Sequence, residues 1–231
     1  MTLDVLYLDN HLLVVNKPPG LLAQADHTGD PDVLTLGKAW LKARFGKPGR
    51  VFLGLVHRLD RPASGVMVLA RTSKAAARLS DQFRRRLPEK RYLALVEGVW
   101  TGAGTAVDHL VKAGRTVRVV PATHPGARRA ELAWRVLATD EAERLSLVEV
   151  RLETGRPHQV RVQLAHRGHP LLGDFRYGAS RPLDGRNLAL HAYRLGIEHP
   201  TRRVPMHWVA PPPAAWGTRF REAIRERLAR E

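Results

Sequence analysis

The 231-residue chain has no cysteine. That absence excludes disulfides, thiolate nucleophiles, thiolate zinc sites and iron–sulfur clusters. No apolar run approaches the ~20 residues that a membrane-spanning helix needs. The N-terminus, Met1-Thr2-Leu3-Asp4, lacks a basic stretch followed by an apolar one, so no signal peptide is expected and a cytoplasmic address is the default. A glycine-rich phosphate loop ending in Lys-Ser/Thr, a Gly-x-Ser-x-Gly elbow and an HExxH pair are all missing. Eleven histidines are present; His166 and His169 are close and His158 lies eight residues before the first, but this spacing supplies no convincing third ligand and no metal is expected. Acids are also scarce: 22 Asp and Glu stand against 38 Lys and Arg, a formal net charge of +16.

What remains is a globular composition, 44% hydrophobic and 26% charged. The length suits one large domain, and a chain of this size buries about 70% of its unfolded surface. We read residues 1–210 as the main domain and 211–231 as a proline connector and short helix belonging to it. Almost all of the basic excess is arginine. A field of that sign concentrates polyanions, and phosphate contacts supply most nonspecific affinity for nucleic acid. RNA or DNA is therefore the favoured partner over a merely solvated basic surface. Nothing demands more than a monomer.

Residues 3–9 and 12–16 read as a hairpin around Asp9-Asn10-His11. The spacing of Leu36, Ala39, Trp40 and Ala43 predicts a helix over 35–45 ending at Gly46. Residues 51–55 and 66–70 are apolar strands flanking a polar loop, 57–65. Ser73 is the expected N-cap of a helix running to about residue 86. Residues 91–99 and 145–152 read as strands, and 107–137 as short β pieces with turns. Pro157 suits the first turn of a helix ending near Arg167 and Gly168. The last strands are expected at 188–197 and 204–210. Strands outnumber helices without alternating with them, so the class is α+β and not doubly wound.

Three clusters can carry chemistry. In His57-Arg58-Leu59-Asp60-Arg61-Pro62-Ala63-Ser64-Gly65, a lone carboxylate sits between two arginines. Opposite charge keeps such an acid ionised, which suits a nucleophile or base and not a proton donor. The same residues also suit an ordinary turn. In Thr154-Gly155-Arg156-Pro157-His158-Gln159-Val160-Arg161, His158 and Arg161 share one helix face, pointing either into a cleft or into solvent. In Lys90-Arg91-Tyr92, Tyr92 lies on the opposite strand face from Leu93 and Leu95 and suits either base stacking or the core.

Together these segments resemble the RluA family of pseudouridine synthases. Residues 57–65 resemble its HRLDxxTSG motif, and 152–178 resemble its TGRxHQxR…GHPxxGDxxYG block. Val15-Asn16-Lys17-Pro18-Pro19-Gly20-Leu21 and the stretch 90–98 supply two further matches in the family's order. The resemblance implies a central, mostly antiparallel mixed sheet with flanking helices and a catalytic cleft. It implies isomerisation of uridine in ribosomal or transfer RNA, without cofactor or metal. Asp60 corresponds to the catalytic carboxylate, Arg161 to its basic partner, Tyr92 to the ring against the target base, and Arg58 to the residue that displaces the base. His57, Arg61, Arg156, His158, Gln159 and Lys17 fall at substrate-binding positions. Ala63 and Gln163 depart from the family's usual Thr and His. The pattern begins at about residue 4, so a short form without an N-terminal S4 domain is expected.

The uridine must leave its stack to be reached. Attack by Asp60 on the ribose, glycal formation and attack on uracil C6 all remain open. Arg71, Lys74, Arg78, Arg84, Arg85, Arg86, Lys90 and Arg91 are expected to track the RNA backbone. A noncatalytic RNA-binding protein is one rival reading. A hydrolase using Asp60 with Asp174 as paired acids is another.

Overall fold

The computed structural model describes residues 3–46 and 48–231. Met1 and Thr2, on which the reading of the N-terminus partly rests, lie outside the described residues. Among the described residues the elements are β1 (Asp4–Leu8), β2 (Leu12–Lys17), α1 (Val33–Phe45), β3 (Gly54–Leu55), β4 (Ser64–Ala70), α2 (Ser73–Arg84), β5 (Glu89–Glu97), β6 (Ala103–Ala113), β7 (Thr116–Val120), β8 (Arg128–Asp140), β9 (Leu145–Leu152), α3 (Gln159–His166), β10 (Leu190–Glu198), β11 (Pro205–Val209) and α4 (Arg221–Ala229). Two compact units result. The first comprises Met1–Glu89 with Ala192–Ala210, the second Lys90–His191 with Pro211–Glu231. The class is α+β, as expected.

In the first unit the strand order is β1-β2-β4-β10, with β11 on β10 and β3 on β4. The β1–β2 hairpin turns where the Asp9 carboxylate accepts the backbone N–H groups of His11 and Leu12, each at 2.8 Å. Such a side-chain bond is why Asp serves turns. All of β4 is buried, and so is β2 apart from Asn16. This is why both read as continuous apolar runs. They pack with Ala75 and Leu79 of α2 and with Leu195, Ile197 and Trp208 of the returning strands. Helix α1 is capped by Asp32, whose side chain accepts the Thr35 N–H at 3.0 Å, and ends at the left-handed Gly46. Two expectations need correction. The N-cap of α2 is Thr72, not Ser73: Thr72 has the extended backbone that a cap requires, and its hydroxyl accepts the Ala75 N–H at 3.1 Å. The strand expected over 51–55 is only Gly54–Leu55, because β4 offers it just Ala70 and Leu69.

The second unit is an antiparallel succession β5-β9-β8-β6-β7. β9 has the bounds read from its sequence. The short pieces expected over 107–137 are instead long strands: β6 has 11 residues and β8 has 13, the latter bulged between Val136 and Ala138. The bulge shifts the side-chain alternation midway, which hides one long strand as two short ones. Helix α3 starts two residues later than Pro157 suggests, because His158 takes a left-handed φ of 52° and serves as its N-cap. The segment Pro211–Glu231 joins this unit, where Arg227 bonds both Glu149 and Glu231 at 2.6 Å.

Candidate active site

The loop 57–65 leaves a short edge and enters the fully buried β4. It is both of the things its sequence allowed, a turn and a charged presentation loop. The Asp60 carbonyl accepts the Ala63 N–H at 3.1 Å, turning the chain over Arg61 and Pro62. Gly65 ends the loop at φ +125°, and a Cβ there would lie 2.3 Å from the Ala192 carbonyl oxygen. Only glycine permits that approach.

The loop is fastened to the segment 17–21. The Arg61 carbonyl accepts the Gly20 N–H at 2.8 Å, and the Arg61 Nε donates to the Gly20 carbonyl at 3.1 Å. The far end of Arg61 pairs with Asp30 at 2.8 Å. Beneath sits Lys17, 0% exposed. Its Nζ donates to the carbonyls of Leu21 (2.7 Å), Pro18 (3.0 Å) and Arg61 (3.1 Å). Three acceptors match the three protons of an ammonium. Burial pulls Lys17 down to about 7, while the negative charge of Asp60 supports its protonation and Arg61 opposes it. Lys17 thus reaches the loop through its backbone and through charge. His57 is tied inward as well: its Nε2 accepts the Val68 N–H at 3.0 Å and its ring stacks on Phe83 at 4.6 Å. Arg58 is exposed.

In the second unit the segment 154–161 is held by Gln159, which is buried. Its Oε1 accepts from the Thr154 hydroxyl (2.8 Å) and the Arg156 N–H (2.9 Å), and its Nε2 donates to the Glu131 carbonyl (3.0 Å). Arg156 Nε donates to the Arg129 carbonyl at 3.1 Å. Arg161 is not on a solvated face. Its Nε and Nη2 donate to the two oxygens of Asp174, both at 2.7 Å, with side chains 5% and 2% exposed. Side-on pairing of this kind fixes the guanidinium plane. It takes two of the five N–H groups and leaves three for other acceptors. The Tyr177 ring lies 5.0 Å from the Arg161 Cζ, and its hydroxyl accepts the Val117 N–H at 2.9 Å while bonding His158 Nδ1 at 2.7 Å. Burial pushes the Tyr177 hydroxyl pKa up. Tyr92 is half-buried on β5, opposite Val150.

Asp174 and Tyr177 were not read from the sequence as partners of Arg161. The only signal was their place in the stretch 173–178. With both oxygens engaged by a buried arginine, Asp174 is ill suited to be the second acid of a hydrolase. Gln163, one of the two departures, donates to Asp108 at 2.7 Å and to the Ala106 carbonyl at 3.2 Å, tying α3 to β6. The basic run also divides. Arg78 donates to the Pro200 carbonyl at 2.7 Å, and Arg91 lies 3.7 Å from Glu149, whereas Lys74, Arg84, Arg85 and Arg86 are exposed.

An α+β fold with antiparallel pairing, an aspartate loop locked by lysine and arginine, and a buried arginine on α3 define one class of protein. Residues 11–166 match the RNA pseudouridylate synthase family, and the chain belongs to that family. Among its relatives, the uncharacterized RNA pseudouridine synthase YhcT of Bacillus subtilis (strain 168) is 37% identical over 198 residues, covering 86% of this chain and 65% of that protein. Ribosomal large subunit pseudouridine synthase D of Yersinia pestis is 36% identical over 223 residues, covering 90% and 66%. The chain thus spans just under two thirds of the length of these relatives. The solved structure of human RNA pseudouridylate synthase domain containing 4 superposes with a TM-score of 0.76 at 27% identity, covering 98% of this chain and 93% of that one.

Proposed function

We propose that the protein isomerises uridine to pseudouridine within RNA, with Asp60 as the catalytic carboxylate. The bond from ribose C1′ to uracil N1 breaks, the base turns, and a bond from C1′ to C5 forms. The proton lost from C5 is balanced by the one gained at N1, so the reaction is redox neutral. Family membership supports this reading, and one observation carries it: Asp60 sits in a loop whose backbone is clamped by Lys17 and Gly20 and whose acid is felt electrostatically by Lys17. A carboxylate held in such a loop can serve in attack or proton abstraction.

Arg161, aimed by its pairing with Asp174, is the basic residue that serves the reaction. Tyr92 lies against the extruded base and Arg58 fills the space it leaves. Extrusion costs a few kcal/mol, which contacts to the flipped nucleotide offset. Lys17, His57, Arg61 and Gln159 act mainly by holding the two loops, while Arg156 and His158 border the substrate. The names of the relatives favour large-subunit ribosomal RNA as substrate over transfer RNA, and our reading places the enzyme in the cytoplasm as a monomer. Among the described residues no helix is long and apolar enough to cross a membrane.

The test compares pseudouridine maps of total RNA from cells with the gene, without it, and with Asp60→Asn. Loss of the same pseudouridine in the last two, with RNA affinity of the purified variant retained, is expected. A site still modified in the Asp60→Asn cells ends the assignment, and identical maps in all three end the enzymatic reading in favour of noncatalytic binding.

A further inference from the structure

The turn that supplies Asp174 to Arg161 has a second, outward side. Residues Phe175–Tyr177 form a single 3-10 turn closed by the left-handed Gly178. It is anchored inward at both ends, by the buried Asp174 carboxylate on Arg161 and by the Tyr177 hydroxyl on Val117 and His158. Those anchors force Phe175 outward, leaving it 57% exposed. The other strongly exposed rings differ from it. Phe45 has the Arg71 guanidinium over its ring at 4.8 Å, and Phe52 lies against Gly54. Among the described residues no ring or cation stacks on Phe175.

Its surroundings are cationic. Arg176, the next residue, is exposed and reaches the Arg115 carbonyl at 3.3 Å, which brings this turn beside the exposed Arg115 of the β6–β7 connection. Among the described residues neither arginine has an acidic partner. The one acid of the turn, Asp174, is buried and neutralised by Arg161. An exposed aromatic face on an anchored turn, beside uncompensated guanidinium groups, matches a single-stranded nucleic acid, whose bases stack while its phosphates take the charge. An acidic peptide would use the arginines but leave the ring idle.

We propose that Phe175 is a stacking platform for an unpaired base of the RNA substrate, with Arg176 and Arg115 on the adjoining phosphates. This rests on the reading of the protein as an RNA-modifying enzyme and gives that reading a specific contact outside the target uridine.

The probe is a fluorescein-labelled 12-nucleotide oligouridylate RNA, titrated with the full chain at several salt concentrations. Phe175→Ala weakens binding about 5- to 150-fold, the range found for removing one stacked base, and leaves the salt slope unchanged. Phe175→Trp keeps wild-type affinity. Arg176→Ala lowers the magnitude of the slope by about 0.7, the value for one phosphate on a single strand. Phe175→Leu, which keeps apolar bulk and loses the π-face, behaves like Phe175→Ala. Wild-type affinity in either Phe175→Ala or Phe175→Leu overturns the stacking. Since Phe175 is exposed, all variants melt with the wild type. Pseudouridine formation by the wild-type chain is measured alongside. If it is present while Phe175→Ala binds normally, the platform fails and the enzyme stands. If it is absent while Phe175→Ala binds weakly, the enzymatic reading fails and the platform stands.

Discussion

Replacing Asp174 by leucine removes both oxygens from a guanidinium whose side chain is 5% exposed. Breaking one side of such a buried pair costs about 3–5 kcal/mol, because the remaining charge keeps its desolvation penalty and loses its compensation. Arg161→Met strands Asp174, 2% exposed, in the same way. The double variant Arg161→Met/Asp174→Leu strands neither, and apolar replacement of a whole buried pair is commonly neutral or stabilising. Independent sites would add to about 6–10 kcal/mol, so a double variant less destabilised than either single one is the expected result. Urea unfolding of the four proteins, monitored by tryptophan fluorescence, measures it. Asp174→Asn separates stability from aim. One amide oxygen still accepts from Arg161, but the amide N–H groups face a donor, so the bidentate geometry is lost. We expect a folded protein with RNA affinity retained and turnover reduced by about tenfold or more, given that small misplacements of a catalytic group can cost about a hundredfold. Additive losses in the cycle, or full turnover in Asp174→Asn, would refute the reasoning.

Lys17 gives a pH test. Its proton leaves at about 7 in the folded chain against an ordinary value of 10.5. Between these values the unfolded chain binds more protons, so this group makes stability rise with pH. Lys17→Met should flatten that rise in urea unfolding at pH 7.5 and 9.5; an unchanged slope in the variant counts against the lowered pKa of Lys17. Gly65→Ala combines a φ of +125° with a 2.3 Å approach to a backbone oxygen. The dihedral alone costs about 1–3 kcal/mol. A thermal melt should show a large loss with activity falling alongside it, and a wild-type melting temperature would mean that the loop has another way to close.

Where one physical rule dominated a segment, the sequence was a good guide. β2 and β4 are buried on both faces and read as unbroken apolar runs, and Gly46 marked the end of α1 through its left-handed backbone. β8 was misread because its bulge breaks the alternation on which strand reading depends. The motif residues were legible as a set, but their individual work was not. A lysine in a basic chain reads as a surface cation, and nothing local shows that Lys17 would be buried under three carbonyls. Arg161 and Asp174 are 13 positions apart, joined by a reversal of the chain that no helical or strand period encodes. Gln159 reads as a polar residue at a helix start, yet its amide is consumed by its own loop.

The first unit is discontinuous: the chain leaves it at Glu89 and re-enters at Ala192. Its core needs Leu195, Ile197 and Trp208 alongside Leu12, Val14 and Val66. During synthesis, the hairpin and the aspartate loop therefore emerge well before the strands that cover them. Roughly 100 residues at about 5–20 per second amount to a delay of about 5–20 s. For that interval β2 and β4 stand on the nascent chain without the strands that complete their core. The core of the first unit thus closes only after the intervening residues of the second have been made.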